Sequence, residues 1–194
     1  MDSSSQVDSR VKLLVDSLGS LPEPVAHPAS IVLAGLPGTG KSYFSHRLAE
    51  KVPVVILETD ALRKTLFSEP TYSPSESGLL FEAVHVLIGW LLKRGVSVIL
   101  DATNLSERHR EVLYRIAGQN GAKLIIVYLE APPEVVSERL KGRHTAAENK
   151  SDADWEVYQK MLGSVEEIRH RHYVVNTAED IAPAVDKIVR EVMN

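Results

Sequence analysis

Cysteine is absent from the 194 residues, so neither disulfides nor thiolate metal sites can hold this chain together. Basic charge is not in excess either. Lys and Arg number 22 against 26 Asp and Glu, for a net charge of −4. That balance excludes a protein that grips nucleic acid mainly through the summed positive charge of its surface, although a local basic cleft stays open. No apolar run reads as long enough to cross a bilayer, and the opening MDSSSQVDSR lacks the apolar stretch of a signal peptide. The expectation is a soluble, cytoplasmic chain with no membrane partner. Internal repeats are lacking as well. What the chain does have is a 44 % hydrophobic fraction, enough for one well-packed domain with a small lid.

The organisation follows from punctuation and period. Residues 1–10 read as frayed, Val11–Leu21 as a short helix, and the proline-rich Pro22–Ser30 as a loop, since proline removes a backbone donor and disfavours helix before it. Residues 1–30 thus form an N-terminal extension ahead of a main domain, 31–194. Five short apolar runs follow: Ile31–Ala34, Val54–Leu57, Val96–Leu100, Leu124–Leu129 and Tyr173–Asn176. Continuous β-branched runs suit strands covered on both faces, as in a parallel sheet. Helical patterns separate them at Ser42–Lys51, Glu76–Arg94, Leu105–Gly118, Pro133–Lys141, Asp154–Arg169 and Ala178–Met193. This alternation specifies a doubly wound α/β sheet. The polar stretch Gly142–Asp154 is expected to be a flap.

The strongest signal is GLPGTGKS, Gly35–Ser42, which fits G-x-x-x-x-G-K-[ST] with a strand before it and a helix after it. Glycines let backbone N–H groups turn inward toward a polyphosphate, and the helix start adds its positive dipole end. Gly35, Gly38, Thr39, Gly40, Lys41 and Ser42 are therefore the expected nucleotide cradle. Lys41 reaches the β- and γ-phosphates, and the Ser42 hydroxyl is suited to Mg²⁺. Asp101 ends the third apolar run at the carboxyl edge of the sheet, where open α/β sheets bind ligands. It is the second expected Mg²⁺ ligand. Asn104 with Glu107 reads as the cap of the next helix, which leaves Asp101 available.

Ala102 follows Asp101, so the local glutamate that activates water in many mechanical ATPases is lacking. Asp60 and Arg63 lie three apart after the second strand, at the same rim. They suit proton acceptance from a hydroxyl and the holding of an anion. A helix N-cap with a solvated arginine reads equally well at this point. Arg108 and Arg110 meet the unfavourable end of a helix dipole, which hints at an anionic ligand or a surface ion pair. Arg139 and Arg143, four apart at the flap entry, suit the charge that spreads over a moving phosphoryl group.

In this order GLPGTGKS, ETDALR, VILDATN, VYLEAPPEVVSERLKGR and SDADWEVY resemble a P-loop kinase group that includes polynucleotide 5′-hydroxyl kinases and zeta-toxin-like kinases. The resemblance covers about Ile31 to Asn176. It implies a P-loop NTPase of three α/β/α layers, with a five-stranded parallel sheet in the order 2-3-1-4-5 and a lid at about 142–154. It also implies Asp60 as general base, Arg63 on the acceptor phosphate, and Arg139 with Arg143 as lid arginines. The implied activity is ATP- and Mg²⁺-dependent transfer of the γ-phosphate to an acceptor hydroxyl, polynucleotide-kinase-like. The acceptor is a nucleic-acid 5′ end or a small molecule such as a sugar, nucleotide-sugar or antibiotic. A nucleotide-dependent switch without acceptor is the alternative of another class.

Other signals are set aside. NKSD (Asn149–Asp152) lies in the expected flap rather than after a strand, so it does not read as a guanine-recognition motif. RHRHY (Arg169–Tyr173) lacks the partner spacing of a metal site. VNTAED (Val175–Asp180) reads as a loop beside the nucleotide or as a simple helix cap. His85 and Trp90 read as packing residues, and Tyr72 as a residue bordering the acceptor or covering a helix start.

Overall fold

The computed structural model describes residues 3–143 and 154–194. Five strands, β1 (Ala29–Ala34), β2 (Val55–Glu58), β3 (Val98–Asp101), β4 (Lys123–Glu130) and β5 (Tyr173–Asn176), form one sheet in the order β2-β3-β1-β4-β5. Every neighbouring pair is parallel. The order is the one that the resemblance implies.

Register and pleat divide the core. Ile31 pairs with Ile99 on one side and Ile125 on the other. Successive side chains of a strand face opposite ways. Ile31, Leu33, Ile99, Ile125 and Val127 therefore pack with Phe44 and Leu48 of α2 (Lys41–Ala49) and with Val185 and Ile188 of α8 (Ala182–Met193). Val32, Val98 and Leu100 face the other layer. There they meet α4 (Pro74–Lys93) and α5 (Glu107–Gln119), together with α3 (Thr59–Leu66) and α1 (Ser3–Ser17).

α1 starts at Ser3 rather than after a frayed decapeptide. Val11 and Leu14 carry it into this second core. α4 corrects the expectation on apolar runs: an 18-residue window within its 20 residues has a mean hydropathy of 1.3, long and apolar enough to cross a bilayer by length and composition. Here Leu80, Val84, Leu87, Ile88 and Leu91 are buried against the sheet and neighbouring helices. Each such residue contributes roughly 2 kcal/mol.

Two helices are shorter than their patterns suggest. α7 covers Trp155–Leu162 and stops at Gly163. Beyond it, the carbonyls of Glu166 and Glu167 accept hydrogen bonds from Arg110 at 2.9 and 2.8 Å. Those carbonyls serve a distant arginine in place of helical amides. α8 begins at Ala182 because Asn176 and Asp180 side chains accept from the Ala178 and Ala182 amides and hold a turn. α6 (Pro133–Arg143) packs Val136 and Leu140 with Leu36 of the glycine loop, Leu105 and Tyr158 of α7. Residues 144–153, which hold most of the expected lid and the NKSD motif, lie outside the described residues.

Candidate functional site

The glycine loop joins β1 to α2 at the carboxyl edge of the sheet. Two of its glycines are required by close approach. A Cβ on Gly35, at φ +145°, would stand 2.3 Å from the Leu129 carbonyl oxygen. One on Gly38, at φ +80°, would stand 2.7 Å from Val136 Cγ1. The loop is braced from beneath by the β3–α5 connection. The Gly35 amide donates to the Thr103 carbonyl at 3.0 Å, and Asn104 Nδ2 donates to the Leu33 carbonyl at 2.6 Å. Asn104, at φ 45°, is thus a strut and not a helix cap. The cap of α5 comes from far along the chain: the Glu166 carboxylate accepts from the Glu107 amide at 2.7 Å and from Ser106 Oγ at 3.3 Å.

Gly40 is the N-cap of α2 and has no side chain with which to cap it, so the positive end of the helix dipole faces the loop and suits an anion. Lys41 Nζ donates to the Leu36 carbonyl at 2.9 Å across the loop, and Thr39 Oγ1 donates to the same carbonyl at 2.8 Å.

Asp101 stands beside this cradle, and Glu58 at the end of β2 pairs with it in register. The Asp101 side chain is buried, and among the described residues its Oδ2 has no hydrogen-bond partner. Burial pushes its pKa up. Lys41 and a hydrogen bond from Ser42 oppose the rise, while the charges of Glu58 and Asp60 add to it. A buried, incompletely paired carboxylate oxygen next to a serine hydroxyl is the donor set that a hard divalent cation takes, and the residues present fit Mg²⁺.

Asp60 lies in the first turn of α3, half-buried. The N-cap of that helix is Glu58, so the Asp60 carboxylate is not spent on capping. Glu58 is in turn held by His46 Nε2 at 2.9 Å.

Arg63 is not a solvated first-turn residue. It is 6 % exposed, pairs with Glu76 of α4, donates to Ser77 Oγ at 3.2 Å, and lies under the Tyr72 ring at 4.6 Å. Its buried Nε has no hydrogen-bond partner among the described residues. Glu76 also accepts from the Thr71 amide at 2.7 Å and the Tyr72 amide at 3.2 Å. Burial alone would raise its pKa; the hydrogen bonds from Thr71, Arg63 and Tyr72 lower it to about 2.

Arg139 of α6 is the lid arginine with a described side chain. It donates to Thr177 Oγ1 at 2.8 Å and to the Thr177 carbonyl at 2.7 Å. Arg143 is the last residue of α6, and its side chain lies outside the described residues. The hint from Arg110 is overturned. That side chain is 1 % exposed and spent on Glu107 and on the carbonyls of Asn104, Leu105, Glu166 and Glu167. It staples the 164–168 segment to the base of α5. Thr177, in the loop after β5, was not singled out by sequence reasoning; the VNTAED stretch that contains it was the only signal.

L-seryl-tRNA(Sec) kinase of Methanococcus maripaludis is 33% identical over 114 residues, 56% of this chain and 44% of its own length. Adenylyl-sulfate kinase of Myxococcus xanthus is 29% identical over 59% of this chain and 65% of its own. The chain therefore spans less than two thirds of the length of these curated relatives. Among solved structures, a gluconokinase from Sinorhizobium meliloti 1021 superposes with a TM-score of 0.60 at 24% identity, over 86% of this chain and 92% of its own; at that identity the likeness shows the fold. The family model AAA_33, described as an AAA domain, matches residues 31–168, a span that contains the glycine loop, Asp60, Asp101 and Arg139. With the match covering most of the chain and the sheet order and phosphate loop in place, the chain belongs to the AAA_33 family of P-loop proteins.

Proposed function

We propose that this protein is an ATP-dependent kinase that moves the γ-phosphate to an acceptor hydroxyl. The observation that carries the reading is the buried, unpartnered Asp101 Oδ2 beside Ser42 and Lys41, with the Asp60 carboxylate close enough for its charge to act on Asp101. A phosphate cradle, a cation seat and a proton acceptor then share one rim of the sheet.

In this reading the loop amides and Lys41 hold the polyphosphate. Ser42 and Asp101 would hold Mg²⁺, which when bound supplies positive charge at the phosphate oxygens. Asp60 takes the proton of the acceptor hydroxyl. The acceptor oxygen bonds to the γ-phosphorus as the bond to the β–γ bridging oxygen breaks, and ADP leaves. Arg63, fixed by Glu76 and roofed by Tyr72, shapes the acceptor side of α3. Arg139 and Arg143 are assigned to the charge that spreads over the moving phosphoryl group.

The acceptor we favour is a small-molecule or nucleotide alcohol in a cytoplasmic setting. The relatives are a kinase of L-seryl-tRNA(Sec) and a kinase of adenylyl sulfate, and the similar solved structure is a gluconokinase. Acceptors therefore vary while the nucleotide half stays fixed. A polynucleotide 5′ end is the narrower form of the proposal, and the net charge of −4 speaks against a large phosphate-binding surface. The test is γ-labelled ATP offered with nucleosides, sugars, sugar acids, adenylyl sulfate and 5′-hydroxyl oligonucleotides. Label on an organic product is expected. Label appearing only as free phosphate with every acceptor would replace the kinase reading with that of a nucleotide-dependent switch.

A further inference from the structure

Thr177 lies outside the glycine loop in sequence but touches it in space. Its Oγ1 donates to the Thr39 carbonyl at 2.8 Å, with the Glu130 carbonyl at 3.3 Å, and accepts from Arg139 Nη1 at 2.8 Å. Its amide donates to the Glu130 carbonyl at 2.9 Å, which ties it to the end of β4. A hydroxyl has one proton to give and lone pairs to receive, and both capacities are in use here.

The bond to Thr39 has a directional consequence. Across a planar trans peptide the carbonyl of one residue and the N–H of the next point opposite ways. With the Thr39 carbonyl held toward Thr177, the Gly40 N–H is turned away from Thr177. Gly40 is at φ +85°, and a Cβ there would stand 3.3 Å from Thr177, so the two residues are in close contact along this edge. Among the described residues no backbone carbonyl accepts from the Gly40 amide.

We infer that Thr177 is a positioning residue for the phosphate cradle: its hydroxyl fixes the Thr39–Gly40 peptide so that the Gly40 amide faces a bound phosphate, and the same hydroxyl seats Arg139 of the lid helix against that loop. The inference rests on the proposed triphosphate site. It deepens that proposal by placing one of the determinants of the cradle on the β5–α8 loop, 138 residues from the loop it shapes.

Calorimetric titration of the full chain with ATPγS and magnesium tests it, using Thr177→Ser and Thr177→Val. Serine keeps the hydroxyl and loses the methyl; valine keeps the shape and loses the hydroxyl. Valine is expected to weaken binding by about tenfold, the scale of one misdirected hydrogen bond, and serine is expected to bind within about twofold of the wild type. A residue that merely packs would give the reverse order, because serine leaves the cavity. Wild-type affinity in Thr177→Val, or equal weakening in both variants, would overturn the inference while leaving the site in place. No binding by the wild type would overturn the site itself and the inference with it. If the valine variant does not fold, Thr177→Ala against Thr177→Ser gives the same comparison.

Discussion

Arg63 of α3 and Glu76 of α4 form a buried ion pair at the corner where the chain leaves α3 and enters α4. Arg63 is one helical turn from Asp60, so whatever fixes the arginine also fixes the face of α3 on which the proposed base stands. Glu76 is the hub. It receives the guanidinium, the Thr71 hydroxyl at 2.8 Å and two backbone amides. Those bonds hold Tyr72 at a φ of 54°, a conformation that costs a side-chain-bearing residue about 1–3 kcal/mol.

The hub makes stability depend on pH in a defined direction. The Glu76 carboxyl is lowered from 4.5 to about 2 in the folded chain. A depressed acid contributes stability that is fully present above its unfolded pKa and is lost as pH falls through the folded one. Thermal melting followed from pH 5 down toward about 2 is expected to show a progressive loss in the wild type. Glu76→Gln is expected to melt lower at neutral pH and to lack that part of the pH dependence.

Asp101 has the opposite sign. Burial raises its pKa, and the ionised group is further repelled by Glu58 and Asp60. Such an acid costs stability while ionised, and the cost disappears as pH falls through its raised value. Asp101→Asn is therefore expected to melt higher than the wild type without ligand. The same variant is expected to lose at least about tenfold in Mg²⁺ affinity in the presence of ADP. Manganese titration by electron paramagnetic resonance, with and without ADP, reads the second effect without any turnover.

Much of this arrangement is legible in the amino-acid order. The β-branched runs placed all five strands, and Tyr173–Asn176 matched to the residue. The glycine loop declared itself because its chemistry is local: turn, amides, lysine and serine are contiguous. What stayed hidden depends on partners far away in sequence. Arg110 looked like an anion site because its acceptors at 166 and 167 belong to another segment. Asn104 looked like a cap because its true acceptor is the Leu33 carbonyl, 71 residues back. Glu76 read as the start of a helix, and neither its pairing with Arg63 nor the part played by Thr177 has a local signature.

Asp60→Asn separates chemistry from binding. Loss of a general base costs about 10²–10⁴-fold, so phosphoryl transfer is expected to fall by that range while MgATP affinity changes by less than about twofold. Single-turnover transfer and equilibrium titration read the two quantities separately. Transfer unchanged in this variant would remove Asp60 from the proton-accepting role.

Gly35→Ala probes the loop's steric requirement. A Cβ at 2.3 Å from the Leu129 carbonyl oxygen meets backbone of a central strand, which has no rotamer by which to yield. The variant is expected to lose more than about 2 kcal/mol, read as a lowered urea midpoint. Gly142→Ala, within α6 and where a Cβ meets nothing within 4 Å, is expected to leave the midpoint unchanged or raise it slightly through the higher helix propensity of alanine.

The most direct test of the central claim is calorimetric titration of the wild type and Lys41→Ala with MgATP. A saturable, one-site heat in the wild type, lost in Lys41→Ala, is the expected result, because the Lys41 side chain and the loop amides around Gly38 and Gly40 are assigned to the polyphosphate. No heat in the wild type, or heat that survives loss of the lysine unchanged, would contradict it.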